Sequence, residues 1–263
     1  MRKLVASALV GVLTLVVAAV AIGATVTSGT TEQTYTQTFS DKSGKDLKKP
    51  KTSTGTTFGT SSTDETNTER NKQPKRVTNF DIKFPTGTKI NNKAIPACKA
   101  TNEDFANAED PDDACPKGSK IGDGDVAART PFNGVNDFTG TVDAYNAPKG
   151  LLLFVNVQSA NQTLVLRPKF SGLNLKTAVP QTCIPPNIPQ NDCKDPSGTK
   201  QEAILTNFEL KTTPKGSGSG KRKKNLIVTP PTCPKGTWTF VASIKYSDGA
   251  SVKIPTTTPC TKK

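Results

Sequence analysis

Apolar and polar residues alternate along much of the chain from residue 77 onward, a pattern typical of half-buried β-strands. In the segment VTNFDIKFPTG, Phe80, Ile82 and Phe84 alternate with polar residues before Pro85 and Gly87 end the run. Similar runs predict strands at residues 125–129, 138–145, 151–157, 163–170, 173–178, 203–212, 225–229, 237–246 and 250–255. Many short strands separated by Gly- and Pro-containing turns predict an all-β fold, specifically an Ig-like antiparallel β-sandwich with long loops.

Two segments depart from simple alternation. The unbroken run LLLFVNV at residues 151–157 predicts a central strand that is buried on both faces. The segment TNEDFANAED at residues 101–110 lacks the alternation and has the composition of a short helix. The fold is therefore expected to contain one short helix among its strands.

The pattern also predicts two hairpins. In TWTFVASIKYSDGASVKIP, side chains from Trp238 to Tyr246 alternate in and out, and Asp248 with Gly249 supplies the turn. The strands AILTNFEL and NLIVT bracket TPKGSGSGKRKKN, which predicts a second hairpin with a long, flexible tip. The tip carries Lys221, Arg222, Lys223 and Lys224.

The first 76 residues differ from the rest in composition. Arg2 and Lys3 precede an apolar run to about residue 20, and Ala19-Val20-Ala21 fits a cleavage site, so residues 1–24 are predicted to be a signal peptide. An uncleaved membrane anchor is the alternative. Residues 25–76 are rich in Thr, Ser and Lys and are predicted to be a linker with one or two edge strands, ahead of a β-domain at residues 77–263.

Export changes how the six cysteines are interpreted, because thiols outside the cytosol usually form disulfides. They fall into three local pairs, Cys98 with Cys115, Cys183 with Cys193, and Cys233 with Cys260, and these pairs are the predicted bridges. Each bridge is expected to contribute about 2 to 4 kcal/mol. A metal site built on these cysteines is disfavoured, because the chain has no C-x-x-C pair and no histidine.

The charge of the chain adds a candidate interaction. Apolar residues make up only 33% of the sequence and the net charge is +13, which favours attraction to anionic polymers or lipid headgroups. The basic tip at Lys221 to Lys224 is the candidate anion-contacting loop, and a solvated loop without a role is the alternative. No aromatic residue lies between Thr212 and Thr229, so sequence-specific nucleic-acid binding is not expected.

Candidate catalytic and metal sites are few. The absence of histidine excludes Ser-His-Asp and Cys-His catalysis, whereas a carboxylate pair, as in glycosidases, stays open. An acidic cluster at Glu103, Asp104, Glu109, Asp110, Asp112 and Asp113, with Asp123 and Asp125, raises calcium binding as an alternative to a solvated acidic loop. The ligand spacing of a calcium loop is missing, so no metal, cofactor or catalytic residue is predicted.

Two cysteine-containing motifs resemble those of a group of secreted bacterial β-proteins of unknown function. The similar parts are Cys98, the run ACPKGSKIGDG at residues 114–124, the buried run at 151–157 and TCPKGTWTFVASIKYSDG at 232–249. The resemblance implies an extracellular or cell-surface β-domain and brings no catalytic residue with it.

The sequence thus predicts a secreted or cell-surface protein that acts as a structural or adhesive β-domain without catalytic activity. The first alternative is an extracellular module that binds cell-envelope or other anionic polymers through basic loops. The second is a carboxylate-based secreted hydrolase. A membrane is expected as a partner only through an uncleaved N-terminal segment.

Overall fold

The computed structural model describes residues 23–64, 74–130, 138–184, 189, 191–194, 196–198 and 201–261. The predicted signal peptide at residues 1–24 lies almost wholly outside the described residues, so its cleavage site is not seen. Over the described ranges, no helix has the length and apolar character needed to cross a membrane.

The described residues form 17 β-strands and one short α-helix, α1 (Asn102–Asn107). The strands are β1 (Ala24–Ser28), β2 (Thr31–Ser40), β3 (Gly55–Asp64), β4 (Val77–Lys83), β5 (Lys89–Ile90), β6 (Lys120–Arg129), β7 (Phe138–Ala147), β8 (Gly150–Val157), β9 (Gln162–Leu166), β10 (Lys169–Ser171), β11 (Asn174–Ala178), β12 (Ile204–Thr212), β13 (Gly216–Ser217), β14 (Lys224–Asn225), β15 (Ile227–Val228), β16 (Thr237–Tyr246) and β17 (Ser251–Pro259). The prediction of an all-β fold is confirmed, and strands lie at or close to most of the predicted positions.

Thirteen of these strands form one antiparallel sheet. Its order is β1-β2-β3-β12-β6-β7-β8-β10-β11-β4-β16-β17, and β9 pairs with β8 beside this path. Strand β17 lies next to β1 and β2, so the sheet curves until its two ends almost meet. The Ig-like sandwich detail is not confirmed, because the strands form a single, nearly closed, barrel-like sheet.

Aromatic side chains fill the interior between facing parts of this sheet. The ring of Phe39 on β2 lies 5.3 Å from that of Trp238 and 4.9 Å from that of Phe240, both on β16. The predicted hairpin of β16 and β17 is confirmed, with Gly249 in its turn at a φ of +86°, and the inward-facing side chains of β16 are buried. This hairpin therefore closes one side of the core.

Strand β8 is buried on both faces, as the run LLLFVNV predicts. Leu153 and Val155 pack into the main core, whereas Leu152 and Phe154 face a second cluster on the other side of the sheet. Helix α1 covers that outer side and stacks Phe105 on Phe154 with ring centroids 5.0 Å apart. The predicted short helix is thus present, and it shields the central strand from water.

The N-terminal region differs from its prediction as a linker with edge strands. Strands β1, β2 and β3 lie in the same sheet as the rest of the domain, and β3 pairs with β12 in the interior of the strand order. Tyr35 and Phe39 on β2 are fully buried. A domain boundary at residue 77 therefore does not match the described structure, because residues 24–64 belong to the sheet.

Hydrogen bonds explain how such a polar segment can form core strands. The amide of buried Gln33 donates to Thr60 Oγ1 at 2.7 Å and to the Ser61 carbonyl at 2.8 Å, and Ser62 Oγ donates back to Gln33 Oε1 at 2.5 Å. A buried polar group that is hydrogen-bonded avoids the desolvation penalty that an unpaired one would carry. Threonine and glutamine side chains can therefore occupy positions where the sequence seemed too polar for a core.

The second predicted hairpin is wrong in its pairing. Strand β12 pairs with β3 and β6 and not with residues 225–229. Residues 216–225 instead form their own small ladder, β13 with β14, and β15 pairs with β5. The strands β3 and β6 occupy both edges of β12, so no edge is left for the chain that returns from the basic tip.

The three predicted disulfides are present. They join Cys98 to Cys115, Cys183 to Cys193 and Cys233 to Cys260, with Cα–Cα distances of 4.9, 5.1 and 5.7 Å. The last of them joins the chain just before β16 to the chain just after β17, which places it at the open end of the hairpin, as predicted.

The double variant Cys233→Ser/Cys260→Ser is expected to unfold with a free energy lower by about 2 to 4 kcal/mol than the native protein. The bond lowers the conformational entropy of the unfolded chain by closing a loop. Its two cysteines are 27 residues apart in the sequence, whereas Cys183 and Cys193 are 10 residues apart. If this entropy is the main effect, the bond that closes the longer loop stabilises the folded protein by roughly 1 kcal/mol more than the other. Urea unfolding of the two double-serine variants measures both quantities; an equal or reversed order would contradict this account.

Candidate polyanion-binding surface

The basic tip predicted from the sequence forms a compact local hairpin. Strands β13 and β14 enclose a 3-10 turn at Gly220–Arg222, and the Leu226 amide donates to the Lys215 carbonyl at 2.9 Å to close its base. Arg222, Lys223 and Lys224 are exposed to solvent. The side chain of Lys221 lies outside what the structure describes. The hairpin therefore presents at least three cations to solvent.

A second lysine-rich loop at residues 41–53 connects β2 to β3. Its start is shaped by Asp41, whose carboxylate accepts hydrogen bonds from the Ser43 hydroxyl at 2.7 Å and from the backbone amides of Ser43 and Lys45 at 2.8 and 3.0 Å. The hydrogen bond of the Ser43 side chain is the main reason that the pKa of Asp41 lies below its usual value. Asp41 thus shapes the loop, while the lysine side chains around it project into solvent.

Backbone hydrogen bonds hold this loop against the segment that follows the basic hairpin. The Thr54 amide donates to the Ile227 carbonyl at 3.1 Å, and the Thr229 amide donates to the Thr52 carbonyl at 3.0 Å. The Thr229 hydroxyl donates to the Lys49 carbonyl at 2.9 Å. Two segments that are 177 residues apart in the sequence, measured from Thr52 to Thr229, therefore lie side by side.

The two segments enclose a groove of about 380 Å³. Lys42 and Asp41 line it from the loop, and Lys215 and Lys223 line it from the hairpin. We call the basic residues of both segments the basic face. Its members are Lys42, Lys45, Lys48, Lys49, Lys51, Lys215, Arg222, Lys223 and Lys224.

The basic face is only partly neutralised: Asp41 on the groove wall attracts the charge of Lys45. The ion pairs found among the described residues involve Lys75, Arg76 and Lys120, and none of these belongs to the face. The only acidic residues in the loop and the hairpin are Asp41 and Asp46. Like charges held close together raise the local positive potential and attract anions, most strongly at low salt.

The chemistry of the groove suits phosphate, sulfate or carboxylate groups on a flexible chain. Lysine is a compact cation whose stem lets it follow a polyanion without fixed geometry. The described residues that line the groove include no aromatic side chain on which a base could stack. The arrangement therefore favours contact with charged groups along a polymer over recognition of individual bases.

The acidic cluster considered for calcium serves local structure in the described residues. Asp104 accepts a hydrogen bond from the Thr101 backbone at 2.7 Å and completes the capping box of α1. Asp112 accepts one from the Tyr145 hydroxyl at 2.5 Å and forms an ion pair with Lys120. Within the ranges that the structure covers, no group of three or more acidic or cysteine side chains lies close enough to hold a metal ion.

Sequence reasoning identified only one of the two segments that form the basic face. It identified the residues from Lys221 to Lys224 but assigned Lys42 to Lys51 to a linker. The available signal was the density of lysine in DKSGKDLKKPK, which has five in eleven residues. Nothing in the sequence showed that this run and the hairpin would meet, because their contact depends on the backbone pairing around Ile227 and Thr229.

Comparisons with known proteins do not indicate a function, so the function is argued from the geometry described above. No protein-family model matches the chain, and neither the curated proteins nor the solved structures gave a match. The similarity to secreted bacterial β-proteins stays a prediction from sequence motifs.

Proposed function

We propose that this protein is an extracellular binding module that holds an anionic polymer on its basic face. The observation that supports this is the convergence of two lysine-rich segments around one groove, which Lys42, Lys215 and Lys223 line together. A single charged loop tip is a common solvated feature, whereas two packed cationic segments form a continuous track for a charged chain.

The three disulfides support an extracellular location for the protein. They are consistent with an extracellular environment, where such bonds persist. Secretion or attachment to the cell surface is part of the proposal, as are cell-envelope polymers as the partner class. The structural or adhesive role predicted from the sequence stays a prediction, and binding to an envelope polymer is compatible with adhesion.

Binding to heparin and to inorganic polyphosphate tests this proposal. A loop variant, Lys42→Ser/Lys45→Ser/Lys48→Ser, and a hairpin variant, Arg222→Ser/Lys223→Ser/Lys224→Ser, are each expected to bind about tenfold more weakly at 0.15 M salt, since each exposed charge contributes up to about 1 kcal/mol. The slope of log affinity against log salt is expected to fall by about two to three in each variant, because fewer counterions are released.

The matched control is Lys169→Ser/Lys176→Ser/Lys253→Ser, which removes three exposed lysines from strands outside the basic face. It changes the net charge by the same amount and should leave the affinity and the slope close to the native values. Equal losses in all three variants would mean that only net charge matters. No loss in the loop variant would remove residues 41–53 from the site.

A further inference from the structure

An apolar cavity lies inside the curved sheet, and no residue of the basic face lines it. It has a volume of about 170 Å³. Its walls come from both faces of the interior, including Phe80 on β4, Leu153 and Val155 on β8, and Phe208 on β12. Protein interiors are normally packed with few voids larger than a water molecule, so a cavity of this size is a specific feature of the fold.

The cavity reaches the place where β9 branches from the main path of the sheet. Strand β8 pairs with β9 along residues 153–157 and meets β10 where Gly150 lies opposite Lys169, with flanking backbone hydrogen bonds from Leu151 to Pro168 and from Phe170 to Lys149. In the strand order, β9 branches from β8 and leaves the main path. Leu164 and Leu166 on β9, with Val179 beyond β11, line the cavity and are only half-buried. These half-buried residues form the part of the cavity wall that lies nearest to solvent.

The charged groups near the wall are paired, whereas the buried Oε1 of Gln162 has no hydrogen-bond partner among the described residues. Arg76 reaches the cavity, but its guanidinium forms an ion pair with buried Glu202 at 2.6 Å. Gln162 at the start of β9 donates its side-chain amide to the Cys183 carbonyl at 3.4 Å. A charged ligand in this cavity would lose its hydration without gaining a free counter-charge, which is unfavourable. The wall therefore selects an uncharged ligand.

We propose that this cavity is a binding site for a small, uncharged, apolar molecule, of the size of a single aromatic ring or a short alkyl group. An apolar cavity of about 150 Å³, engineered into another protein, stays dry and binds benzene. The present cavity has a similar volume and similar aliphatic and aromatic walls.

Benzene and toluene are the probes for this site. Methyl and amide NMR spectra of the disulfide-bonded protein, titrated with either solvent, are expected to show saturable shifts at Leu153, Val155 and Leu164. The filling variant Ala128→Leu places a larger side chain on the cavity wall and should weaken binding at least tenfold. Its control, Ala127→Leu, makes the same change at the adjacent half-buried position, which does not line the cavity, and should bind like the native protein.

A second filling variant, Leu164→Phe, covers the case in which Ala128→Leu fails to fold. Saturable shifts at the cavity methyls that disappear in either filling variant support the site. Shifts spread over surface methyls, an absence of saturation, or equal binding by native protein and a folded filling variant would overturn it. The basic face plays no part in this experiment, so its outcome is independent of polyanion binding.

Discussion

Replacing Phe39 with alanine is expected to lower the free energy of unfolding by about 3 to 5 kcal/mol, the range found when a large buried aromatic side chain is truncated. Phe39 is fully buried and its ring packs against Trp238 and Phe240 on the opposite side of the core. Alanine would leave a cavity between β2 and β16 that the surrounding strands can only partly fill. Urea unfolding followed by tryptophan fluorescence measures the loss, since Trp238 is the single tryptophan.

The control for Phe39→Ala is Thr36→Ala, an exposed position on the same strand. This substitution is expected to change the stability by no more than about 0.5 kcal/mol, as is usual for surface positions. The pair of variants tests whether β2 is part of the folded domain. If residues 25–76 were a linker, the two substitutions would have equally small effects.

The strands that could be predicted from the sequence are those that bury mainly apolar side chains. The unbroken apolar run at residues 151–157 has the length of a buried strand, and the residues from Trp238 to Tyr246 alternate with the period of a half-buried one. The cysteine pairs were predictable for a related reason, because short loops between neighbouring cysteines favour local bridges. In both cases the evidence lies within a few tens of residues of the feature itself.

The remaining features depend on contacts between distant segments. Strand β2 is polar in composition, and its burial becomes favourable only because Gln33 finds partners on β3. The basic face and the pairing of β15 with β5 likewise depend on which strands take the edges of β12. Hydrophobic periodicity does not encode such choices. The sequence therefore predicted two hairpins, of which only that of β16 and β17 is present.

The ion pair between Arg76 and Glu202 leads to the second large effect. Arg76 Nε lies 2.6 Å from Glu202 Oε1, and the side chains are 21% and 5% exposed. The variant Arg76→Met is expected to lose about 3 to 5 kcal/mol, because it leaves a buried carboxylate without its counter-charge. Urea unfolding at neutral pH measures this loss.

Two further variants separate the ion pair from simple loss of packing. Lys75→Met removes the neighbouring but more exposed pair with Asp248, whose side chains are 28% and 47% exposed, and is expected to cost at most about 1 kcal/mol. The double variant Arg76→Met/Glu202→Leu is expected to be more stable than Arg76→Met, because it removes the unpaired charge as well. A loss in Arg76→Met no greater than that in Lys75→Met would show that water screens the pair. A double variant less stable than Arg76→Met would mean instead that Glu202 contributes through other contacts, because removing its charge would then bring no relief.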